Sequence, residues 1–161
     1  MNSQFDQMPD ESRIWIYQSN RRLTHEEGMA LQITTNQFIS GWNAHGHILT
    51  AGFEFLFNHF LVLSVDESVQ VASGCSIDTS VALVRQLNDT FGVDFLDRTK
   101  IATKVDEEVV LFELAAINGA VETGKLTSES LVFNNLCPTL GEFRSNWLVP
   151  ASQTWLKRYF N

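Results

Sequence analysis

Apolar positions in the first third of the chain change from a strand pattern to a helix pattern. The run Arg13–Tyr17 is short, aromatic and β-branched, which predicts a first strand. Thr24 followed three residues later by Glu27 is the capping-box sequence found at the start of helices. Apolar residues at helical spacing continue to about Trp42, so we expect the first helix to end there.

Two strongly apolar runs and a second amphipathic segment follow. The runs 49–57 and 60–65 predict two strands, and residues 58–59 between them predict a tight hairpin turn. Residues 73–78 read SGCSID and open the clearest helical periodicity in the chain, which stops at Gly92. The order up to this point is therefore strand, helix, strand, strand, helix.

The second half of the chain continues this alternation with shorter elements. The pattern predicts two paired strands, a third helix, a last strand and a short helix, over residues 100–105, 109–112, 114–124, 130–133 and 139–147. Gly124 is predicted to end the third helix as its C-cap. The aromatic segment 149–160 is predicted to dock on the protein as a terminal helix.

Together these elements predict an α+β fold with a ferredoxin-like core in the order βαββαβ, extended by a further β-α-β unit and a C-terminal helix. Two alternatives stay open: another α+β sheet covered by helices on one face, and an α/β layer. Residues 1–12 are polar and predict a flexible tail. Residues 13–161 then form a single α+β domain, a usual size for one hydrophobic core.

Composition narrows the classes of function. The formal charge of −8 disfavours nucleic acid as a partner, because an acidic surface repels phosphates. Neither a signal peptide nor an apolar run of about 20 residues is visible, so we expect a cytoplasmic protein with no membrane partner. Cys75 and Cys137 lie far apart and form no CxxC motif. We expect no cofactor and no metal, because His45 and His47 lack the further ligands that a metal site needs.

The segment 73–78 is the strongest site candidate because it lies at the start of the second helix. Backbone N–H groups there attract anions and lower the pKa of a thiol, so Cys75 is the candidate catalytic nucleophile. If the first two strand–helix units lie side by side, their loops meet and bring two guanidiniums to this helix end. The candidate contacts to a small anionic ligand are Asn20, Arg21, Arg22, Ser73, Gly74, Ser76 and Asp78.

Structural roles for the same residues are an open alternative. Asp78 or Ser76 can serve as the N-cap of the second helix, which is worth about 1 kcal/mol. Cys75 can be a small buried hydrophobic residue, the usual role of an unpaired cysteine. The two arginines can be solvated loop charges. The sequence does not choose between these roles and a binding site.

Three functions follow from these readings. The first is a binding module for a small anionic ligand, and the second is an enzyme that uses Cys75. The third is a non-catalytic interaction protein that forms homo-oligomers through the aromatic tail. A ferredoxin-like core would place His45, His47 and His59 at the sheet end opposite Cys75, which leaves that thiol without an obvious base. We therefore rank the binding module first.

One near-motif suggests a nucleotide site. Residues 119–125 read GAVETGK and satisfy the spacing of a Walker A loop, but Leu126 replaces the Ser or Thr that would hold Mg²⁺. A P-loop also needs a strand before it and a helix after it, and the predicted order here is the reverse. The segment is better explained as the end of a helix.

Three stretches of the chain, residues 13–24, 73–81 and 131–135, resemble a family of short uncharacterised bacterial proteins. The resemblance extends from about Arg13 to Phe160. Some members of that family carry the label ABC transporter ATPase, but the family has no established catalytic residues to transfer to this chain. Because the Walker A pattern is incomplete, the resemblance implies a family and no activity.

Overall fold

The structure, a computed structural model, describes residues 3–161 as a mixture of helices and antiparallel sheets, which confirms the α+β class. Its helices and strands in chain order are α1 Ser3–Asp6, β1 Arg13–Gln18, α2 His25–Gly41, β2 Asn43–Ala44, β3 His47–Ile48, β4 Ala51–Leu56, β5 Phe60–Val65, α3 Gly74–Phe91, β6 Lys100–Val105, β7 Glu108–Glu113, α4 Ile117–Glu122, β8 Leu131–Phe133, α5 Leu140–Asn146 and β9 Leu148–Pro150. Short 3-10 turns precede α4 and follow β9. None of the helices in the described residues is long and apolar enough to cross a membrane.

The first sheet contains three strands in the order β1-β5-β4, and both pairings are antiparallel. Strand β5 lies at its centre and is buried throughout, as its nearly continuous apolar sequence predicts. Helices α2 and α3 cover one face of this sheet, where residues such as Leu31 and Val84 form a core cluster with Leu63. Burial of that face fixes the register of the strands.

The second sheet contains four strands in the order β7-β6-β8-β9 and stacks on the other face of the first. Its inward face carries Ala102 and Phe133, which pack with Ile14 and Phe60 of the first sheet. Its outward face is covered by α4 and the C-terminal 3-10 turns, where Leu156 is fully buried. The molecule therefore has four layers, with the two sheets between the two helical layers.

Local sequence signals mark most element boundaries correctly. Thr24 and Glu27 form the predicted capping box of α2, and the side chain of Ser73 caps α3 by accepting a hydrogen bond from the Ser76 N–H at 3.1 Å. Gly92 ends α3 in the left-handed conformation, at φ 61°. The hairpin turn lies one residue earlier than predicted, because Phe57 and Asn58 are the residues with positive φ.

The ferredoxin-like core is not confirmed. Such a core needs the strand after α3 to join the first sheet, whereas β6 pairs with β7 on one side and β8 on the other. Both edges of β6 are thus satisfied within the second sheet, which stacks on the first through an apolar face. The predicted C-terminal helix is present as two short 3-10 turns, over 151–153 and 155–159.

The predicted flexible tail contains α1 and packs on the sheets from Phe5 onward, while residues 1 and 2 lie outside the described part. Phe5 and Met8 are buried in the core between the two sheets, although their neighbours are polar. The Arg144 guanidinium donates to the Met8 carbonyl at 3.0 Å and to the Asp10 carboxylate at 2.6 Å. A side chain at Gly141 would come within 2.9 Å of Asp10, so glycine permits this close approach.

Phe60 gives a test of the inter-sheet core. Its ring is fully buried and lies 4.5 Å from the Phe133 ring and 5.0 Å from the Trp147 ring. We expect Phe60→Ala to lower the free energy of unfolding by about 3–5 kcal/mol in urea titrations. The exposed Val105→Ala is the control, with an expected change within about 0.5 kcal/mol. Equal effects of the two substitutions would contradict the assigned layers.

Candidate functional site

A groove of about 800 Å³ lies along the free edge of β1. One wall is the outer face of α3, and the other is formed by the start of β6 with the loop after β8. Residues 95–98 close one end, and Trp155 of the C-terminal segment lies at the rim. This volume is within the range of protein sites for small ligands.

The main chain of β1 alternates between β5 and the groove. The Ser19 N–H donates to the His59 carbonyl at 2.7 Å, so the odd-numbered residues direct their backbone groups to β5. The Ile14 N–H donates in the opposite direction, to the Pro138 carbonyl at 3.3 Å. Ile16 and Gln18 therefore direct N–H and C=O into the groove. Neither has a backbone hydrogen bond on that side within residues 3–161.

Helix α3 supplies the apolar wall through a second stripe of residues. Ile77, Val81 and Arg85 are spaced four residues apart and line the groove. Leu83 and Leu87 belong to the other face of the helix and are buried against the first sheet. Ile77 and Val81 are only partly buried, so the groove is the environment that they share.

Three large apolar side chains at the rim of the groove are exposed to solvent. Leu136 is 78% exposed, Trp155 is 45% exposed and Leu114 is 39% exposed. All three line the same groove. Clustered apolar exposure of this kind marks interaction sites, whereas single exposed residues are ordinary.

Three cationic side chains and one carboxylate line the groove. Lys100 is held by the Asp97 carboxylate at 2.8 Å and by Glu113 at 3.2 Å. The Lys100 ammonium and the Thr99 hydroxyl and N–H lower the pKa of Asp97 to about 2. Arg85 and Arg98 form no ion pair or hydrogen bond with another side chain within residues 3–161. Two guanidiniums are therefore free to bind an anion.

Buried polar groups fix the floor of the groove at the end of β1. The Gln18 amide donates to the Lys100 carbonyl at 3.2 Å and accepts from the Asn135 amide at 2.9 Å. Burial raises the pKa of the Tyr17 hydroxyl, with Ser80 and Arg98 acting in the opposite direction. These contacts join both sheets and α3 at the groove, so its walls have fixed positions.

The two predicted site loops lie at opposite ends of the molecule, which corrects the expectation of one shared pocket. Strand β5 runs antiparallel to β1, so the loop 19–22 lies where β5 begins and the segment 73–78 follows the end where it finishes. Arg21 donates to the Phe91 carbonyl at the far end of α3. A helix of 18 residues is about 27 Å long, which separates Arg21 from the α3 N-terminus.

The residues of the first loop are occupied by structural contacts. Arg21 forms a two-bond ion pair with the Glu27 carboxylate, with distances of 3.0 and 2.8 Å. Arg22 pairs with Glu108 at 2.6 Å. The Asn20 side chain accepts a hydrogen bond from the Asp94 N–H at 2.9 Å. This loop therefore joins β1 to the start of α2, to the end of α3 and to β7, and its cations already have carboxylate partners.

The SGCSID segment forms the first turns of α3. Ser73 is the N-cap, and the buried Ser76 hydroxyl donates back to the Ser73 carbonyl at 2.7 Å. Gly74, Cys75 and Asp78 are exposed. The alternative of Cys75 as a buried hydrophobic residue is wrong, and so is Asp78 or Ser76 as the N-cap. A role for these side chains toward a ligand stays a prediction.

Two of the histidines, His45 and His47, do not lie where a ferredoxin-like core would place them. His59 lies at the opposite end of the first sheet from the α3 N-terminus. The β2–β3 hairpin that carries His45 and His47 contacts α3 instead, and the Trp42 indole donates to the Ser76 carbonyl at 2.8 Å. No group of three or more His, Cys, Asp or Glu side chains that could hold a metal occurs in the described part of the chain.

Sequence reasoning missed the groove because its residues have two plausible roles. Helical spacing alone predicts one apolar stripe that contains Ile77, Val81 and Val84. The sequence signal that distinguishes the groove residues from the core residues is the width of the apolar surface of α3. Its apolar residues at 77, 81, 83, 84 and 87 cover more than the single stripe that packs on one sheet. Arg85 and Arg98 carry no sequence motif.

The Arg21–Glu27 ion pair predicts a pH-dependent stability. The Arg21 guanidinium and the Thr24 N–H lower the pKa of Glu27 from 4.5 to about 2, so the stabilisation is complete above pH 4.5 and is lost toward pH 2. We expect Glu27→Gln to lower the Tm at neutral pH, with a deficit that disappears near pH 2. Calorimetry across this range tests it with Glu26→Gln as control. A deficit that is constant with pH would refute the assigned cause.

The two thiols are expected to differ in reactivity. Cys75 is exposed, whereas Cys137 is buried and its thiol donates to the Asn134 carbonyl at 3.2 Å. Burial also raises the pKa of Cys137, which reduces its thiolate fraction. A thiol-specific chromogenic reagent should label one thiol per native chain rapidly and the second only on unfolding. Cys75→Ser should remove the rapid phase. Rapid labelling of both thiols would contradict this burial.

Comparisons of the chain with protein-family models, with curated proteins and with solved structures give no match. The resemblance to short uncharacterised bacterial proteins therefore stays a prediction. The function of the chain has to be argued from the groove itself.

Proposed function

We propose that this chain is a non-enzymatic binding protein whose ligand lies in the groove beside β1. The ligand has an apolar part, which packs on α3 and the rim, and an anionic group, which Arg85 and Arg98 hold. The proposed ligand is anionic, as the sequence predicts, but it binds in the groove and not at residues 19–22 and 73–78. A cytoplasmic location and the absence of nucleic-acid partners belong to the same proposal.

The observation that carries the proposal is two unpaired guanidiniums beside exposed apolar side chains in an acidic protein. The net charge is −8, and Arg21, Arg22 and Arg144 are all neutralised by carboxylates. Arg85, Arg98 and Arg158 have no carboxylate partner within residues 3–161. Arg158 lies over the Trp155 and Tyr159 rings, whereas Arg85 and Arg98 line the groove. Guanidiniums form strong charge-assisted hydrogen bonds with carboxylates and phosphates, which favours an anion as their partner.

Catalysis by Cys75 has less support than binding. Cys75 lies on the exposed first turn of α3 and does not line the groove. Its sulfur has no hydrogen bond to another side chain within residues 3–161. A nucleophilic thiol needs a base or a cation nearby to activate it. The enzyme hypothesis stays a prediction, as does homo-oligomer formation through the aromatic tail.

Decanoate is a suitable probe because it combines an alkyl chain with a carboxylate. Trp15 and Trp155 line the groove, so their fluorescence reports occupancy. We expect decanoate to bind and decyltrimethylammonium, its cationic counterpart, to bind more weakly. Arg85→Gln and Arg98→Gln should each weaken decanoate binding by about tenfold, the loss of one hydrogen bond to a charged group.

Lys125→Gln is the matched control for these two substitutions. Lys125 is exposed, has no ion pair in the described residues and lies outside the groove. Lys125→Gln removes the same charge as each arginine substitution but at a position outside the groove. The affinity of this variant for decanoate should therefore equal that of the unmodified chain. Equal binding of the two probes, or equal effects of Lys125→Gln and Arg98→Gln, would refute the proposed site.

A further inference from the structure

We infer that the ligand of the groove is an extended peptide segment with acidic residues, which adds to the first sheet as a strand beside β1. The inference rests on the proposed function and names the class of its ligand. It is carried by the geometry of the β1 edge, which the small-anion proposal does not use.

The outer edge of β1 carries main-chain groups without hydrogen-bond partners. Residues 138–140 pair with this edge only at its start, through the Ile14 N–H and the Ser12 carbonyl. From Ile16 to Gln18 the outward N–H and C=O groups have no backbone partner among residues 3–161. Main-chain groups in a half-buried groove favour a ligand that can form hydrogen bonds with them. An extended peptide presents N–H donors and C=O acceptors at every second residue along one edge, which matches the outward groups of β1.

Strands β1 and β4 of the first sheet have different surroundings. Helix α1 packs on the inter-sheet face of β4, where a side chain at Gly52 would come within 3.1 Å of the Phe5 backbone. The β1 edge has no such cover beyond Ile14. It is instead recessed between α3 and the second sheet, which limits access to a single added strand.

The two walls of the groove present different side chains to an added strand. Side chains of an added strand would point alternately to α3 and to the second sheet. The α3 wall ends at Arg85, Arg98 also lines the groove, and the opposite side offers Phe133 and Leu136. At the Arg85 end of the groove, a peptide that alternates acidic and apolar residues matches both walls, because its acidic side chains face a guanidinium there. A second copy of this chain matches less well, because each copy carries a net charge of −8.

The probe is a fluorescein-labelled peptide of sequence Val-Glu-Val-Glu-Val with a blocked C-terminus, measured by fluorescence anisotropy. We expect saturable binding, with little binding of the Val-Lys-Val-Lys-Val counterpart. Five versions of the acidic peptide, each N-methylated at one residue, test the backbone pairing. Methylation at alternate residues should weaken binding by about tenfold, and methylation at the intervening residues should be tolerated, because only alternate N–H groups face β1.

Ile16→Pro gives the complementary test on the protein. Proline removes an N–H that the ladder with β5 does not use, and proline is tolerated at such edge positions. Peptide binding should fall by about tenfold while decanoate binding persists. The N-methyl series on the unmodified chain gives an independent answer if this variant does not fold.

The outcomes separate the inference from the proposed function. Decanoate binding that depends on Arg85 and Arg98, without peptide binding, refutes the peptide and leaves the groove as a small-anion site. Peptide binding with no alternation in the N-methyl series also refutes strand addition. Light scattering that detects a dimer which the peptide cannot dissociate would assign the edge to a second copy and refute the inference. Failure of both probes refutes the proposed function as well.

Discussion

The pairing of β6 determines where the first sheet ends and where the groove lies. Because β6 has partners on both sides within the second sheet, it cannot pair with β1, and the first sheet ends there. Stacking of the two sheets then buries Ile14 and Phe60 without covering the β1 edge. This pairing of β6 leaves the outer main chain of β1 unpaired. It also places the groove between α3 and the second sheet.

Rigid surroundings make the groove suitable for recognition. The loop that closes one end is tied to β1 through Asn20 and to α3 through Asn88, whose side chain accepts from the Phe95 N–H at 2.8 Å. Gln18 links the first sheet to the start of β6 and to Asn135. Groups held in this way lose little conformational entropy when a ligand binds. Asn20, which the sequence suggested as a ligand contact, thus supports the groove from outside it.

The sequence predicts the positions of helices and strands better than it predicts which strands pair with each other. Thr24, Gly92 and Gly124 act through contacts within a few residues, so local pattern is sufficient to locate helix ends. The choice of β6 to pair with β7 and β8 depends on which faces become buried, which no local pattern contains. The burial of Phe5 in a polar segment is decided in the same way, by distant Arg144 and Phe143. The groove lies where such distant choices meet, and local pattern therefore placed the loop 19–22 beside the segment 73–78, which the structure separates.

Amide hydrogen exchange along β1 tests the central claim, that from Ile16 to Gln18 this strand is paired on one side only. The odd-numbered residues Trp15 and Tyr17 donate to β5, whereas Ile16 faces the groove. We expect slow exchange at Trp15 and Tyr17 and much faster exchange at Ile16 in the unliganded protein. Uniformly slow exchange from Trp15 to Tyr17 would mean that the outer edge is already paired, and it would contradict the account.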